Sequence, residues 1–187
     1  IGVFAFSTEN WKRPALEVKA LMELLVKFLK KEVDNLHKNN VPLKTIGKLD
    51  RFPPKPREAL LASIDKLKNN TGLTLTLALN YGAREEILTA IKEIAAKVKE
   101  GTLIANTITE TTLQKHLYTY DLPDVDLLIR TSGEERISNF LLWQIAYAEL
   151  YFTEVLWPDF TKKHLEEALS NYQNRERRFG KTSEQLT

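Results

Sequence analysis

The sequence predicts an α/β protein in which a single-layer, mainly parallel sheet is flanked by helices, and three observations support this class. Short apolar runs alternate along the chain with longer segments whose apolar residues recur at helical spacing. Polar clusters follow several of the short runs, as they follow strands in layered α/β folds. The 187 residues contain no internal repeat, low-complexity segment or linker, so one domain over residues 1–187 is the simplest organisation.

The N-terminal half predicts strands that alternate with helices. The strands are expected at residues 1–6, 41–46 and 73–79, and the helices at about residues 14–39, 53–67 and 84–100. Pro14 and Pro53 suit a first helical turn, where a missing amide hydrogen costs nothing. Gly101 suits the position after the end of a helix.

The C-terminal half is less regular. A short helix is predicted at residues 109–117, a strand at 125–129, an extended segment at 150–156 and a charged final helix at 161–179. Residues 140–151 are apolar with a mixed period, so the pattern there favours neither helix nor strand.

Composition excludes several classes of protein. Apolar residues make up 43% of the chain and charged residues 28%, as in a globular domain, and no apolar run is long enough to cross a membrane. The absence of cysteine excludes disulfides and thiolate metal sites. A net charge of +2 argues against nucleic acid binding by bulk charge, and the seven glycines form neither a dinucleotide-binding nor a P-loop pattern.

Three polar clusters follow predicted strands, at residues 7–13, 80–84 and 130–138. Because the carboxyl ends of parallel strands lie at one edge of a sheet, the clusters are expected to share that edge. Their arginines and hydroxyl residues are Arg13, Arg84, Arg130, Arg136, Ser7, Thr8, Thr131, Ser132 and Ser138. Guanidinium groups and hydroxyls bind phosphate through charge-assisted hydrogen bonds, so the clusters indicate a phosphate site. The alternative is that these arginines only pair with neighbouring glutamates.

Carboxylates are interspersed with these groups, at Glu9, Glu17, Glu134 and Glu149. Acidic side chains beside a phosphate are unfavourable unless a divalent cation lies between them or they orient the arginines. The inferred ligand is therefore a diphosphate with Mg²⁺.

Two further features have competing interpretations. The first predicted helix carries an apolar stripe made of Val18, Leu21, Leu25, Phe28, Leu29 and Leu36. This stripe either lines a tunnel for an apolar ligand or forms ordinary core, and periodicity alone favours the core. The charged C-terminal helix, with Arg175, Arg177 and Arg178, indicates either nucleic acid binding or a solvated face, and the solvated face is the commoner case.

Several motifs, in order along residues 3–180, resemble the cis-prenyltransferase family, nearest to its bacterial members that make undecaprenyl diphosphate. They are FAFSTENWKRP at residues 4–14, LNYGAR at 79–84, DLLIRTSGE at 126–134, RISNFLLW at 136–143, ELYF at 149–152, LWPDF at 156–160 and RERRFG at 175–180. Together the motifs cover nearly the whole chain.

The resemblance implies a cytoplasmic, Mg²⁺-dependent transferase. It would condense isopentenyl diphosphate repeatedly onto farnesyl diphosphate to give undecaprenyl diphosphate, the lipid carrier precursor for cell-wall polysaccharide. It also implies a homodimer without affinity for nucleic acid, and the lipid product leaves peripheral membrane contact open. The competing class is a non-catalytic accessory subunit of a heteromeric enzyme, but the intact segment at 130–138 and the Arg-x-Gly ending favour the enzyme.

Functional roles follow from the resemblance position by position. The diphosphate of isopentenyl diphosphate is expected to bind Arg130, Arg136, Ile137 and Ser138, with Glu149 as the Mg²⁺ ligand and Asn10 in a relay for proton removal. The flexible substrate-contacting segment matches Ser7, Thr8, Glu9, Trp11 and Arg13, with Glu17 as a nearby support. Arg178 and Gly180 match an element that reaches the active site of a partner subunit. The tunnel candidates are Val18, Leu21, Met22 and Leu25.

Two departures from the family pattern stand out. Ala83 occupies a position where the family usually has glycine. The family's opening motif, DGNGRW, is absent, and the chain begins at Ile1 inside an apolar run without an initiating methionine. The natural protein is therefore expected to extend further toward its N-terminus, and the 187-residue chain alone is expected to be inactive.

Overall fold

The computed structural model describes residues 1–176 of the chain. The chain forms two compact units, Ile1–Asp121 and Leu122–Thr187. In the described residues, no helix has both the length and the apolar character needed to cross a membrane. The expectation of a single domain stays a prediction.

The first unit alternates strands with helices. Its strands are β1 (Gly2–Ser7), β2 (Leu43–Ile46) and β3 (Leu75–Tyr81), and its helices are α1 (Ala15–Lys38), α2 (Pro54–Leu67), α3 (Ala83–Lys99) and α4 (Glu110–Gln114). Two short 3₁₀-helices span Thr8–Lys12 and Ala105–Thr107. The strands are parallel in the order β1-β3-β2, and Leu77 of the central strand lies opposite Val3 and Thr45.

The core of the first unit lies between this sheet and the helices α1 and α2. Leu60 and Leu67 of α2 are fully buried, and Leu77 and Leu79 of β3 join them in one cluster. Burial of each such side chain stabilises the fold by about 1.5–3 kcal/mol relative to an exposed position. The near-continuous apolar sequence of β3 therefore suits a central strand that is covered on both faces.

The face that α1 buries matches the predicted stripe only in part. Leu29 of that stripe is buried, together with Met22 and Val26, whereas Phe28, expected on the same stripe, is 39% exposed. The helical rotation from Leu25 to Phe28 is 300°, so the latter lies toward the edge of the buried face. The apolar stripe predicted from the sequence is therefore wider than the face of α1 that is buried.

The second unit contains a smaller sheet. Its strands β4 (Leu127–Arg130) and β5 (Glu149–Phe152) are parallel, and a 3₁₀-helix (Trp157–Asp159) and helix α5 (Lys162–Gln173) follow. Arg130 lies opposite Phe152 at the end of this sheet. Turns fill most of residues 131–148. The segment 140–151, for which the sequence pattern did not distinguish helix from strand, therefore contains turns followed by the start of β5.

The structure confirms the parallel α/β class, with some shifts in element boundaries. β2 begins at Leu43 because Pro42 has no amide hydrogen to donate to the ladder. The extended segment expected at 150–156 pairs as a strand only to Phe152, since the next carbonyls, at Thr153 and Val155, accept loop amides instead. The final helix is observed to Gln173 and not to residue 179, which lies outside the described residues.

Candidate active site

The segment after β1 is held in a 3₁₀-helix by the side chain of Asn10. The Asn10 Oδ1 accepts the Ser7 amide hydrogen at 2.7 Å, and the Asn10 carbonyl accepts the Arg13 amide hydrogen at 3.1 Å. Because a carboxamide oxygen faces Ser7, the NH₂ group of Asn10 is the part left to meet a ligand. Thr8 donates a hydrogen bond to Glu9 within the same segment, at 3.1 Å.

Trp11 anchors this segment to the core. Its ring packs edge-on against Phe6 and Phe52 at centroid distances of 4.9 and 5.8 Å, and the Arg51 guanidinium lies 5.1 Å from its centroid. Its indole N–H donates to the Asn80 Oδ1 at 2.7 Å. The aromatic face, the cation and the hydrogen bond together fix the position of the indole.

Arg13 pairs with Glu17 one helical turn later. The Nη1–Oε1 distance is 2.7 Å, and both side chains are about half exposed. Such exposed pairs contribute little to stability, about 0–1 kcal/mol, so Arg13 can exchange this partner for a phosphate at small cost. The neighbouring Glu17 thus fits the supporting position that the sequence assigned to it.

A pocket of about 140 Å³ opens at the carboxyl ends of the first unit's strands, lined by Thr8, Lys48, Asp50, Arg51, Asn80 and Glu85. Sequence reasoning identified Thr8 but missed Lys48, Asp50 and Arg51. Those three residues directly follow β2, so the rule that placed the other clusters at strand ends applies to them as well. Arg84, which the sequence assigned to this edge, lies exposed on α3 and does not line the pocket.

Lys48 is held in this pocket by two residues of α3. Its Nζ lies 2.5 Å from the Glu85 Oε1 and 3.1 Å from the Thr89 Oγ1. The hydrogen bond with Glu85 raises the pKa of Lys48 above its usual 10.5, although desolvation acts in the opposite direction. The contact therefore favours the ammonium form.

Replacement of Lys48 by methionine is expected to lower the free energy of unfolding by at most about 1 kcal/mol at pH 8, because both partners are more than a third exposed. Since the pKa is raised on folding, the contribution is complete below pH 10.5 and is lost as pH rises through the folded-state pKa. Urea unfolding between pH 8 and pH 11 checks this, with Lys92→Met on the exposed face of α3 as the control. A difference that stays constant over this range would contradict the assignment.

Arg130 ends β4 with part of its guanidinium unsatisfied. Its Nε is buried and has no hydrogen-bond partner among residues 1–176. A buried donor without an acceptor costs about 1–3 kcal/mol, more for a charged group, unless a ligand supplies the acceptor. Arg130 therefore has a buried N–H donor that is available to a bound anion.

The loop after Arg130 is built from residues in an unusual backbone conformation. Ser132, Ser138, Asn139 and Leu141 have positive φ angles of 71°, 52°, 62° and 49°. Left-handed conformations cost non-glycine residues about 1–2 kcal/mol each. Local backbone preference therefore does not explain why this loop contains four of them. Amide hydrogens of Ser132 and Gly133 donate to the carbonyls of Val155 and Thr153, which fixes the start of the loop.

The remaining predicted diphosphate ligands lie on the same loop. Arg136 forms an exposed ion pair with Glu134. Ile137 and Ser138 are half-buried, and the Ile137 carbonyl accepts the Phe140 amide hydrogen at 3.0 Å. The loop therefore carries two arginines and a hydroxyl residue, the groups that the sequence analysis assigned to phosphate binding.

Glu149 begins β5 and shares its carboxylate with Arg175. The Arg175 Nη1 lies 2.7 Å from the Glu149 Oε2 and donates also to the Leu150 carbonyl at 3.0 Å. Arg175 belongs to the last recognised motif but was given no role by the sequence. Arg178 and Gly180 of that motif lie outside the described residues.

The side chains around Glu149 suit a metal ion that is shared with a phosphate ligand better than one enclosed by protein side chains. Among residues 1–176, no group of three or more His, Cys, Asp or Glu side chains could hold a metal ion. Mg²⁺ commonly binds one or two carboxylates and completes its shell with water and substrate phosphates, which a single Glu149 carboxylate permits. Within residues 1–176, the bond from Arg175 is made to the Oε2 atom of this carboxylate.

The fold and these residues define an α/β protein in which Arg130 and its loop follow one end of the second unit's sheet, whereas the Glu149 carboxylate lies at the other end. The profile of the undecaprenyl diphosphate synthase family of prenyltransferases matches residues 1–180. The chain belongs to this family.

Individual relatives agree with this assignment. An isoprenyl transferase from Clostridium perfringens is 53% identical over 180 residues, which cover 96% of this chain and 71% of the relative. A ditrans,polycis-undecaprenyl-diphosphate synthase ((2E,6E)-farnesyl-diphosphate specific) from Pectobacterium atrosepticum is 53% identical over 183 residues, which cover 98% and 72%.

Solved structures resemble the chain closely. Lavandulyl diphosphate synthase from Lavandula x intermedia, in complex with dimethylallyl diphosphate, matches with a TM-score of 0.94 and 38% identity, over 96% of this chain and 78% of that one. A probable undecaprenyl diphosphate synthase from Campylobacter jejuni matches with a TM-score of 0.84 and 44% identity, over 96% and 82%. These neighbours share the cis-prenyltransferase fold.

Proposed function

We propose that the protein is a cis-prenyltransferase that condenses isopentenyl diphosphate successively onto farnesyl diphosphate to give undecaprenyl diphosphate, for use in cell-wall polysaccharide synthesis. The observation that carries the proposal is the buried Nε of Arg130, which has no partner within residues 1–176 and lies at the start of a loop with several left-handed residues. The 53% identity to a relative named for this synthesis, and for farnesyl diphosphate, supports the choice of substrate and product.

In each condensation, the C–O bond between the allylic chain and its diphosphate breaks, and the double bond of isopentenyl diphosphate forms the new C–C bond. A proton is then lost to restore a double bond. Arg130, Arg136 and Ser138 bind the diphosphate of isopentenyl diphosphate through charge-assisted hydrogen bonds, which position its double bond. Ile137 lies between the two polar ligands and offers an apolar contact.

Asn10 takes part in the proton transfer as a relay. An amide is a poor base at neutral pH, so the Asn10 carboxamide orients the group or water that receives the proton. Support comes from the bond between Oδ1 and the Ser7 amide, which leaves the NH₂ as a donor. Thr8, Glu9, Trp11 and Arg13 are proposed to contact substrate beside it.

The growing apolar chain is proposed to contact the face of α1 that follows the substrate segment. Val18, Leu21 and Leu25 are only half-buried and pack around the core cluster, so they can also contact a lipid. Met22 is 5% exposed and belongs to the cluster itself, so the ordinary-core interpretation explains that residue.

Magnesium is proposed to bind Glu149, and it would supply positive charge for departure of the allylic diphosphate. Replacement of Glu149 by glutamine is expected to raise the Mg²⁺ concentration for half-maximal activity at least about tenfold, because a neutral amide is a weaker ligand than a carboxylate. A Mg²⁺ titration of the initial rate checks this, with the exposed Glu154→Gln as the control. An unchanged titration would show that Glu149 pairs with Arg175 and does not bind Mg²⁺.

The central experiment is an assay of the purified protein with farnesyl and isopentenyl diphosphates and Mg²⁺, with products identified by mass spectrometry. The expected product is undecaprenyl diphosphate. An accessory subunit is the second candidate, and it would give no product by itself but would raise the turnover of a catalytic partner. Absence of product with no such effect would overturn the proposal.

We further propose that the protein is a cytoplasmic homodimer that touches the membrane peripherally when its lipid product leaves. Support for the dimer comes from exposed apolar side chains in the second unit, Tyr147, Leu156 and Trp157, since large aromatic residues are enriched at protein interfaces. Arg178 and Gly180 are proposed to reach the partner's site. Sedimentation equilibrium decides between monomer and dimer.

A further inference from the structure

Asn80 lies at the junction of the three strands of the first unit. It is the second-last residue of the central strand β3 and is 4% exposed. Its Oδ1 accepts the indole N–H of Trp11, which follows β1, at 2.7 Å. Its Nδ2 donates to the carbonyl of Lys48, which follows β2, at 2.7 Å. One carboxamide thus joins the segments that follow both outer strands.

The two partners fix the orientation of the Asn80 carboxamide. An indole N–H is only a donor and a backbone carbonyl is only an acceptor, so the oxygen must face Trp11 and the nitrogen must face Lys48. Aspartate lacks the donor for Lys48, and leucine lacks both groups. Asparagine therefore suits this position through its hydrogen bonds as well as its size.

The backbone conformation at Asn80 orients this side chain. Its φ angle is 48°, a left-handed conformation inside a strand, which asparagine tolerates better than most residues. The pairing of β1 with β3 also shifts in register between Phe6 and Ser7, opposite Leu79 and Tyr81. Irregular backbone at this point directs the side chain toward Trp11, at the cost of the regular ladder.

The segment that Asn80 anchors is the one proposed to act on substrate. Trp11 and Asn10 are adjacent in the 3₁₀-helix Thr8–Lys12, so a displaced indole would move the Asn10 carboxamide as well. Neither the sequence motifs nor the comparisons give Asn80 a role. An apolar side chain here would leave the Trp11 N–H and the Lys48 carbonyl without this partner, so the carboxamide also contributes to stability.

We propose that Asn80 is a positioning residue that holds Trp11, and through it Asn10, in the conformation that acts on the substrate. This inference rests on the proposed function. Asn80 contributes through Trp11 rather than by direct chemistry, so its loss slows turnover more than it weakens substrate binding.

The test replaces Asn80 by glycine, which accepts the left-handed backbone and removes only the side chain. Asn80→Gly is expected to lower kcat at least tenfold and to change each KM less than threefold. In the Trp11→Phe background, where the indole donor is already absent, the same change is expected to lower kcat less than threefold further. Asn70→Ala is the matched control, because it removes a similar amide-to-backbone bond, to the Val41 carbonyl at 2.9 Å, away from Trp11.

A second readout does not depend on activity. Hydrogen exchange at the Ser7 and Arg13 amides, which both donate to Asn10, is expected to quicken about tenfold in Asn80→Gly and to stay unchanged in Asn70→Ala. Unchanged exchange, a kcat within twofold of wild type, or losses that multiply in the double variant would each overturn the inference. If the wild-type protein makes no product, the proposed function fails, while the exchange measurement still decides whether Asn80 holds the segment.

Discussion

Replacement of Arg130 by lysine is expected to lower kcat/KM for isopentenyl diphosphate about 100-fold, although the positive charge is kept. The guanidinium offers a planar set of donors that a diphosphate can meet at two oxygens, whereas an ammonium group offers a single point of contact. Hydrogen bonds to charged groups contribute about 1.5–3 kcal/mol each, and 1.4 kcal/mol corresponds to a factor of ten, so the loss of one or two bonds accounts for the decrease.

The structure also predicts the effect of this substitution on stability. The buried Nε of Arg130 has no partner among residues 1–176, so its removal relieves an unfavourable burial in the free protein. The lysine variant is therefore expected to unfold at the same urea concentration as the wild type or slightly higher. Steady-state kinetics and urea unfolding measure the two effects, and Arg57→Lys on the exposed side of α2 is the control. A variant that lost stability and kept its activity would show that Arg130 is structural.

Replacement of Gly47 by alanine is expected to destabilise the first unit by about 3–5 kcal/mol, a large part of the net stability of a typical domain. A Cβ at this position would lie 2.2 Å from the Leu79 carbonyl oxygen and 3.1 Å from that of Asn80, and the φ angle is +101°. Both neighbouring atoms belong to the backbone of the central strand, so no side chain can rotate away. The strand β3 or the turn after β2 would have to move.

Gly101 provides the matched control for this prediction. It also has a positive φ, of +74°, but nothing lies within 4 Å of the Cβ that alanine would add. Gly101→Ala should therefore show only the cost of the left-handed backbone, about 1–2 kcal/mol. Urea unfolding of both variants separates steric overlap from backbone strain, and equal losses would refute the argument from overlap. Because Gly47 lies beside Asn80, its variant is also expected to lose activity in native buffer.

Much of the fold could be predicted because the elements depend on local patterns. The apolar run of β3 and the stripe of α1 identify a strand and a helix directly from their periods. The segment at 140–151 could not be assigned, because turns lead into β5 there and its side chains vary between buried, half-buried and exposed without a repeating period. The length of β5 also escaped prediction, since it ends where loop amides after Arg130 compete for its carbonyls.

The candidate site was predictable only where the residues lie in motifs. Arg130, Ser138 and Glu149 were identified from their sequence context, and the structure adds the unpaired Nε and the left-handed backbone. The pairing of Glu149 with Arg175 joins residues far apart in the chain, so no local pattern contains it. The role of Asn80 is similar, because its two partners lie 69 and 32 residues away.

The order of the strands in the first unit has a consequence for its motions. β3 has a neighbour on each side, whereas β1 and β2 pair within this unit only with β3. Separation of β1 from β3 would therefore leave the β2–β3 ladder and its packing against α2 intact. A subglobal opening of this kind requires less free energy than complete unfolding, so β1 and the segment after it are expected to open before the rest of the unit unfolds.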